Sequence, residues 1–330
     1  MTIRISRRAL LAGLCAPAIL SLPRGAIAAT TLTLGHNAAA GNPRQIAAEK
    51  FAELVKERSG GRISVRVAGA EQLGNEQSLL TGLRTGAIDF TTNSQGSASA
   101  FVPEVAALGL PYLFADTETA FKVLDGPIGA KLGERFASVG MVSFGWWDNG
   151  IRHVINSKRP IKVPADLKGL KIRTPPDPST IDTFEALGAA TEQISFGEVY
   201  IAIQQGVVDG LENALANIAS SKFYEVSKFI SLTGHKWESS PLLGSQITWT
   251  RLGKDVDIIL EAAAEATVLQ RTLMAEQDRM YLDQFTSDPN LSVNEVERQQ
   301  FAELVTPVTD EWRKKPFGGF VDELVAAAKG

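Results

Sequence analysis

WWDNGIRHVINSKRPIKVPADLKGLKIRTPP, Trp146 to Pro176, is the stretch on which the reading of this 330-residue chain turns. Asn149-Gly150 is a turn signal, and it opens an extended run from Ile151 to Asn156. A second short strand, Leu170-Lys171-Ile172-Arg173, must end at Pro175-Pro176, because two prolines cannot continue a sheet ladder. Each strand carries an arginine, Arg152 and Arg173, where a side chain can point into a cleft. A guanidinium is a planar fork of donors that matches a carboxylate in bidentate fashion and stays charged. Spacing alone favours the ordinary alternative, surface ion pairs for both.

Outward from this stretch the chain alternates strand with helix. Thr31 to Gly35, Arg62 to Val67 and Ala87 to Thr91 read as strands; Pro43 to Glu57 and Glu76 to Gly86 carry helical spacing. Such alternation predicts an α/β fold with helices covering a largely parallel sheet, and ligands then sit beyond the carboxyl ends of the strands. The loops there contain His36 and Asn37, Glu71 to Glu76, and Thr92-Asn93-Ser94, which are expected to line one wall of a cleft. Thr117 to Phe136 reads as helix and Met141 to Trp146 as a strand toward a second lobe. Ser179 to Leu187 and Gly197 to Gly206 are helical, with a turn into a strand before Asn213. Ser245 to Arg251 alternates like a strand. Lys254 to Phe285 is the longest helical run, roughly 45 Å if unbroken, too long for one lobe. Val293 to Phe317 and Gly319 to Ala328 supply terminal helices, and no internal repeat is found.

Residues 1–29 read as an export signal: Arg4, Arg7 and Arg8, an apolar run from Ala9 to Leu22, and a small-x-small site at Ala26-Ile27-Ala28. Ser6-Arg7-Arg8 also has the form of a twin-arginine signal. Cys15, the one cysteine, leaves with this leader, which excludes disulfides, thiolate metal sites and a cysteine nucleophile together. Four of the 33 basic side chains (Arg4, Arg7, Arg8, Arg24) go with it, so the acidic excess of the remainder grows. That balance argues against nucleic acid, and it requires any anion to be captured by a local basic site.

Catalytic and metal signatures are missing. The three histidines, His36, His153 and His235, have no second ligand at zinc spacing. His153 reads as packing, while His36 and His235 read as loop residues able to line the cleft. There is no nucleophile elbow, phosphate loop or dinucleotide fingerprint. Asp209 and Glu212 are the tempting carboxylate pair, yet no nucleophile stands near them in sequence. No catalytic residue, metal or cofactor is assigned.

The Trp146–Pro176 segment, ISFGEVYIAIQQGVVDGLENA (Ile194 to Ala214) and SSKFYEVSKFI (Ser220 to Ile230) together resemble the solute-binding proteins of tripartite ATP-independent periplasmic (TRAP) transporters, the DctP/SiaP-like family. The resemblance implies a two-lobed periplasmic binding protein fold, type II-like, with the long helix bracing both lobes. Residues 30–149 plus 239–278 would form lobe 1, and 150–238 plus 279–330 lobe 2. It implies that Arg173 holds a ligand carboxylate with Arg152 and Asn213 completing the shell, and that Phe196 packs against the ligand. Asn37, Glu76 and Thr92 to Ser94 would bond the rest of the ligand, and Trp147 and Trp237 would stack on it or fill the core. It further implies a periplasmic monomer that delivers its ligand to the small and large membrane permease subunits.

Thr92 and Ser94 stand where sialic-acid binders carry an aromatic and an acidic residue, which points away from sialic acid. Glu76 would repel a second carboxylate, so a sugar acid such as a uronate or aldonate is favoured. A C4-dicarboxylate, 2-oxo acid or aromatic acid is the alternative within the fold, and a sensory role beside a membrane kinase shares it. A periplasmic enzyme using Glu76 or Asp209 as base is the alternative of another class.

Overall fold

The computed structural model describes residues 30–330, so the expected export signal and Cys15 lie outside the described residues. Three short strands near the N-terminus, β1 (Thr30–Gly35), β2 (Ile63–Ala68) and β3 (Phe90–Thr92), pair in parallel. Between them lie α1 (Pro43–Arg58) and α2 (Glu76–Thr85), and α3 (Gln95–Ala98) follows. α4 (Thr117–Leu124) and α5 (Pro127–Ser138) lead to β4 (Met141–Asn156). A second parallel trio, β5 (Lys171–Thr174), β6 (Ala190–Gln193) and β7 (Gly210–Asn213), is wrapped by α6 (Pro178–Ala186), α7 (Val199–Gln204) and α8 (Leu215–Ser220). The chain then runs through β8 (Phe229–Ser245), α9 (Gln246–Leu252), α10 (Val256–Ser287), β9 (Ser292–Asn294), α11 (Arg298–Arg313) and α12 (Gly318–Ala328).

One sheet, ordered β2-β1-β3-β8-β4-β7-β5-β6 with β9 beside β8, joins both trios. The expectation of a largely parallel sheet needs correcting at its centre, where β8 pairs antiparallel with β3 and β4, and β4 with β7. The two-lobed fold follows: each trio builds one half, and the long β4–β8 pair runs through both.

Asn149-Gly150 is not a turn. β4 continues through it, and the register against β8 shifts between Asp148 and Ile151. Gly150 has φ +81°, and a Cβ there would lie 2.6 Å from Cβ of Ala214, so the bulge needs glycine twice over. Asp148 stays in register with Ser239 of β8, and α10 satisfies its backbone groups: the N–H of Asp148 donates to Oε1 of Gln270 (2.7 Å), and Nε2 of Gln270 donates to the Asp148 carbonyl (2.8 Å). α10 thereby braces both halves. Ile259, Ala262, Ala263 and Ala266 pack with Phe51 and Trp147, while Phe285 packs with Val199 and Phe223. None of the described helices is long and apolar enough to cross a membrane.

Two other expectations change. Ser245 to Arg251 is not a strand: Ser245 caps α9, accepting from the N–H of Ile247, and its alternation was coincidental. The strand actually present is β8, whose sequence FISLTGHKWESSPLLGS is almost wholly buried and lacks the in–out alternation that marks a half-exposed strand. Trp147 and Trp237 are core residues. Nε1 of Trp147 donates to Oγ1 of Thr267, and Trp237 stands edge-on to Phe114 and Phe121 while donating to Oδ1 of Asp148.

Burial pushes the Asp148 carboxyl up from 3.8 to about 7, against the lowering effect of the Gly150 N–H bond. The folded protein therefore holds a proton there that the unfolded chain releases. This contribution to stability is complete below about pH 4 and is lost as pH rises to about 7. Asp148→Asn should remove that pH slope and leave the variant more stable than the parent at pH 8, by of order 2–4 kcal/mol. Urea unfolding between pH 4 and 8 checks this; an unchanged slope would contradict it.

Candidate functional site

The short strands deliver their carboxyl ends to one cleft, as the sheet geometry requires. Asn37 follows β1, Ser94 follows β3, Arg173 is in β5, Phe196 follows β6, and Asn213 ends β7. With Glu76 from α2 and Arg152 from β4 they line a small inner cavity of about 30 Å³. An outer compartment of about 150 Å³ shares Glu76, Arg173 and Phe196 with it and opens past Glu71, Asn75, Gln77, Gln193 and Ser195. At its mouth the halves touch: the N–H of Gly197 donates to Oε2 of Glu71 (3.2 Å), and Nδ2 of Asn75 to Oγ of Ser195 (3.3 Å).

The two arginines are equally buried, at 3% exposure, but differ in their partners. Nε and Nη2 of Arg152 donate to the two carboxylate oxygens of Glu212 at 2.8 and 2.7 Å, and Nη1 lies 2.9 Å from Oε2 of Glu238. Burial opposes its charge, yet Glu212 and Glu238 outweigh burial and hold its pKa above the usual arginine value. Arg173 has only Nε engaged, donating to the carbonyl of Ile194 (2.9 Å). Among the described residues its two terminal nitrogens have no partner, and its guanidinium lies 5.8 Å from the Phe196 ring centroid. Burial lowers its pKa to about 10, so it remains charged at neutral pH.

Arg44, Asn149, Asn217 and Glu238 also line the cavity and were not anticipated. Arg44 is buried. Its Nη1 donates to Oδ1 of Asn37 (2.5 Å), and Nη2 to Oδ1 of Asn149 (2.8 Å) and Oγ of Ser240 (2.5 Å). No carboxylate pairs with it among the described residues, and burial lowers its pKa. A signal was available: Arg44 sits in the first turn of α1, a turn with no acidic residue, where the helix dipole disfavours a cation. Asn217 stands four residues after Asn213, on α8. Glu238 was hidden with the rest of β8.

Glu76 lines the cavity but spends most of its capacity on α3. Oε1 accepts from the N–H of Ser94 (2.7 Å), and Oε2 from the hydroxyls of Ser94 (2.8 Å) and Ser97 (2.6 Å). Thr92, Asn93 and His36 are buried behind the wall rather than on it. His36 accepts from the N–H of Ala38, and burial followed by Arg44 depresses its pKa to about 3, so it is neutral. His235 is not a loop residue: it lies on β8, 3.3 Å from Glu212, as part of the packing behind Arg152. Asp209 and Glu212 do not form a pair, because Asp209 accepts from the N–H of Lys171 near the surface while Glu212 is buried against Arg152.

The family model for bacterial extracellular solute-binding proteins of family 7, DctP, matches residues 34–315. An uncharacterised protein, y4mM, of Sinorhizobium fredii is 58% identical over 96% of this chain, and the chain spans 59% of that relative's length. The 2,3-diketo-L-gulonate-binding periplasmic protein YiaO of Escherichia coli is 32% identical over 84% of this chain and 85% of its own. Among solved structures, the sugar acid binding protein DctPAm of Advenella mimigardefordensis, in complex with galactonate, superposes with a TM-score of 0.89 at 30% identity, covering 91% of this chain and 98% of that one.

The contrast between the arginines has a measurable consequence in the ligand-free protein. Arg152→Ala leaves Glu212 and Glu238 buried without their cation and should cost about 3–5 kcal/mol of folding stability. Arg173→Ala removes a buried charge that no carboxylate contacts directly and should cost about 1 kcal/mol or less. Equal losses in urea unfolding would show that the two side chains do the same structural work.

Proposed function

The chain belongs to family 7 of the bacterial extracellular solute-binding proteins, the DctP family, whose members are binding proteins of transporters and not enzymes, and on that premise we propose that it captures a sugar acid. The observation that carries this reading is the free fork of Arg173: a guanidinium buried to 3% exposure, with its terminal nitrogens unpartnered and turned to a polar cavity. A buried charge without a counter-ion is costly, and a ligand carboxylate relieves that cost in the bidentate geometry the fork offers. Asn213 adds an amide donor, and Phe196 covers the ligand's apolar face. Arg152 acts behind them, holding the wall through Glu212 and Glu238.

Charge favours a monoanion. Around the cavity the buried cations Arg44, Arg152, Arg173 and Lys236 stand against the buried carboxylates of Glu76, Glu212, Glu238 and Asp177. Burial raises the pKa of Glu238, opposed by Arg152 and Lys236 and reinforced by Glu212. These four cations and four carboxylates balance, so a C4-dicarboxylate would bring two uncompensated charges into the buried site where a sugar acid brings one. The remaining wall, Asn37, Asn149, Asn217 and Ser94, suits hydroxyl groups. The sugar-acid ligands named for the E. coli and Advenella relatives support the same chemistry.

Closure would proceed about the bulged β4–β8 pair, with residues 30–149 plus 239–278 as one lobe and 150–238 plus 279–330 as the other. Ligand contacts on both lobes favour the closed form by differential affinity. The exported monomer would then present its ligand to the small and large subunits of a TRAP permease.

Thermal unfolding against aldonates, uronates, 2-oxo acids, aromatic acids and C4-dicarboxylates tests the reading. A ligand at 100 times its Kd stabilises by about 2.7 kcal/mol, and the rise is expected with the sugar acids above all. Arg173→Lys should lose most of the affinity, since a point charge cannot replace the fork. A rise with succinate alone, or near-normal affinity in the lysine variant, would refute it.

A further inference from the structure

Four asparagines line up across the cleft, and their hydrogen bonds fix each amide in one direction. The series starts at a group that cannot be reversed, the backbone N–H of Arg44, which donates to Oδ1 of Asn42 (2.9 Å) at the N-cap of α1. With its oxygen committed, Asn42 turns Nδ2 across the cleft to Oδ1 of Asn217 on α8 (2.8 Å). Asn217 must then offer its own Nδ2, which donates to Oδ1 of Asn149 (2.9 Å) and Oδ1 of Asn213 (2.9 Å). A second irreversible donor, the N–H of Ala214, also falls on Oδ1 of Asn213 (3.0 Å). Arg44 holds the oxygens of Asn149 and Asn37 in the same sense. The amino groups of Asn37, Asn149 and Asn213 are left without partners among the described residues, on a wall that already carries the Arg173 fork.

We propose that Asn217, set by Asn42, is a positioning residue that keeps the Asn213 amide turned donor-first toward the ligand carboxylate, so that bringing the two halves together completes the anion site. Asn42 does not line the cavity, and Asn217 acts through its neighbours. The physical reason is that an amide has one acceptor end and one donor end. Reversing any member of the series sets like ends together, oxygen against oxygen or donor against donor. An Asn213 turned the other way would present its carbonyl oxygen to an anion. This rests on the reading of Arg173 and Asn213 as the carboxylate-binding pair.

Asn42→Asp is the informative change. One carboxylate oxygen keeps the α1 cap on the Arg44 N–H. The other faces Oδ1 of Asn217 and forces that amide to turn, which sets its oxygen against Oδ1 of Asn213 and drives Asn213 to turn at the cost of its bond from the Ala214 N–H; the Ser220 hydroxyl, which accepts from Nδ2 of Asn42 (3.0 Å), can rotate to donate. The experiment is a double-mutant cycle by titration calorimetry with galactonate and glucuronate as probes, using the mature full-length chain carrying Asn42→Asp, Asn213→Ala or both. Asn42→Asp is expected to weaken binding at least about tenfold in the parent and less than about twofold beside Asn213→Ala. A through-space effect of the new charge would persist in both backgrounds and would overturn the proposal, as would unchanged affinity in Asn42→Asp. If Asn213→Ala itself costs nothing, or the parent binds neither acid, the carboxylate reading has failed instead. The series is then read without ligand, from the side-chain amide resonances of selectively labelled asparagine. Those of Asn213 and Asn217 should shift in Asn42→Asp and stay in place in Asn42→Ser, and resonances that do not move would overturn it.

Discussion

The bulge in β4 at Asp148–Gly150 is the constraint on which the rest of the structure depends. Two strands of this length could pair as a plain ribbon, but the register shift lets the pair bend between the two trios. Beside it the Asp148 peptide groups bond Gln270, and that contact ties the long helix to the sheet at the crossing point. It places Asn149 on the cavity wall, Arg152 just beyond it, and Trp237 beneath it against the Asp148 carboxylate. Glycine at 150 is what lets β4, Ala214 and Met274 approach so closely. Without this geometry the strand ends of the two halves would not face one cleft.

Within that frame the cleft separates two uses of arginine by their counter-ions. Arg152 is locked between Glu212 and Glu238, with His235 and Lys236 behind, so its charge serves the wall. Arg173 keeps its charge unanswered and its donors free. Arg44 stands between these states: its nitrogens are occupied, but only by neutral oxygens that it orients. A site built this way stays ordered while empty, because most of its polar groups satisfy one another. What it leaves open is donor capacity, which under the proposed function meets an acceptor-rich anion.

The residues made much of this legible. Alternation identified β1, α1, β2 and α2 to within a few residues. The paired prolines after Arg173, the Gly-Leu-Glu-Asn run and the family likeness pointed to Arg173, Phe196 and Asn213, and the structure brings these three to the cavity. The reading failed where local pattern and tertiary burial part company. β8 crosses the centre of the sheet buried on both faces, so its sequence carries no period of two. Ser245 and the first six residues of α9 happen to alternate, and so read as a strand. Asn149-Gly150 has turn chemistry because a bulge and a turn both require a residue free to adopt positive φ.

What the sequence determined by itself is the supply of chemistry: an α/β chain with an acidic balance, a single cysteine at position 15, and guanidinium and amide groups placed at strand ends. Periodicity and turn residues are local properties, and they survive being read one window at a time. Which arginine is free, which is spent, and which way each asparagine faces are decided only when residues far apart in the chain meet. Glu212 and Glu238 reach Arg152 from two different strands, and Asn42 reaches Asn217 across the cleft. Counter-ions and hydrogen-bond direction depend on distances of a few ångströms between such partners, and no single stretch of sequence records them.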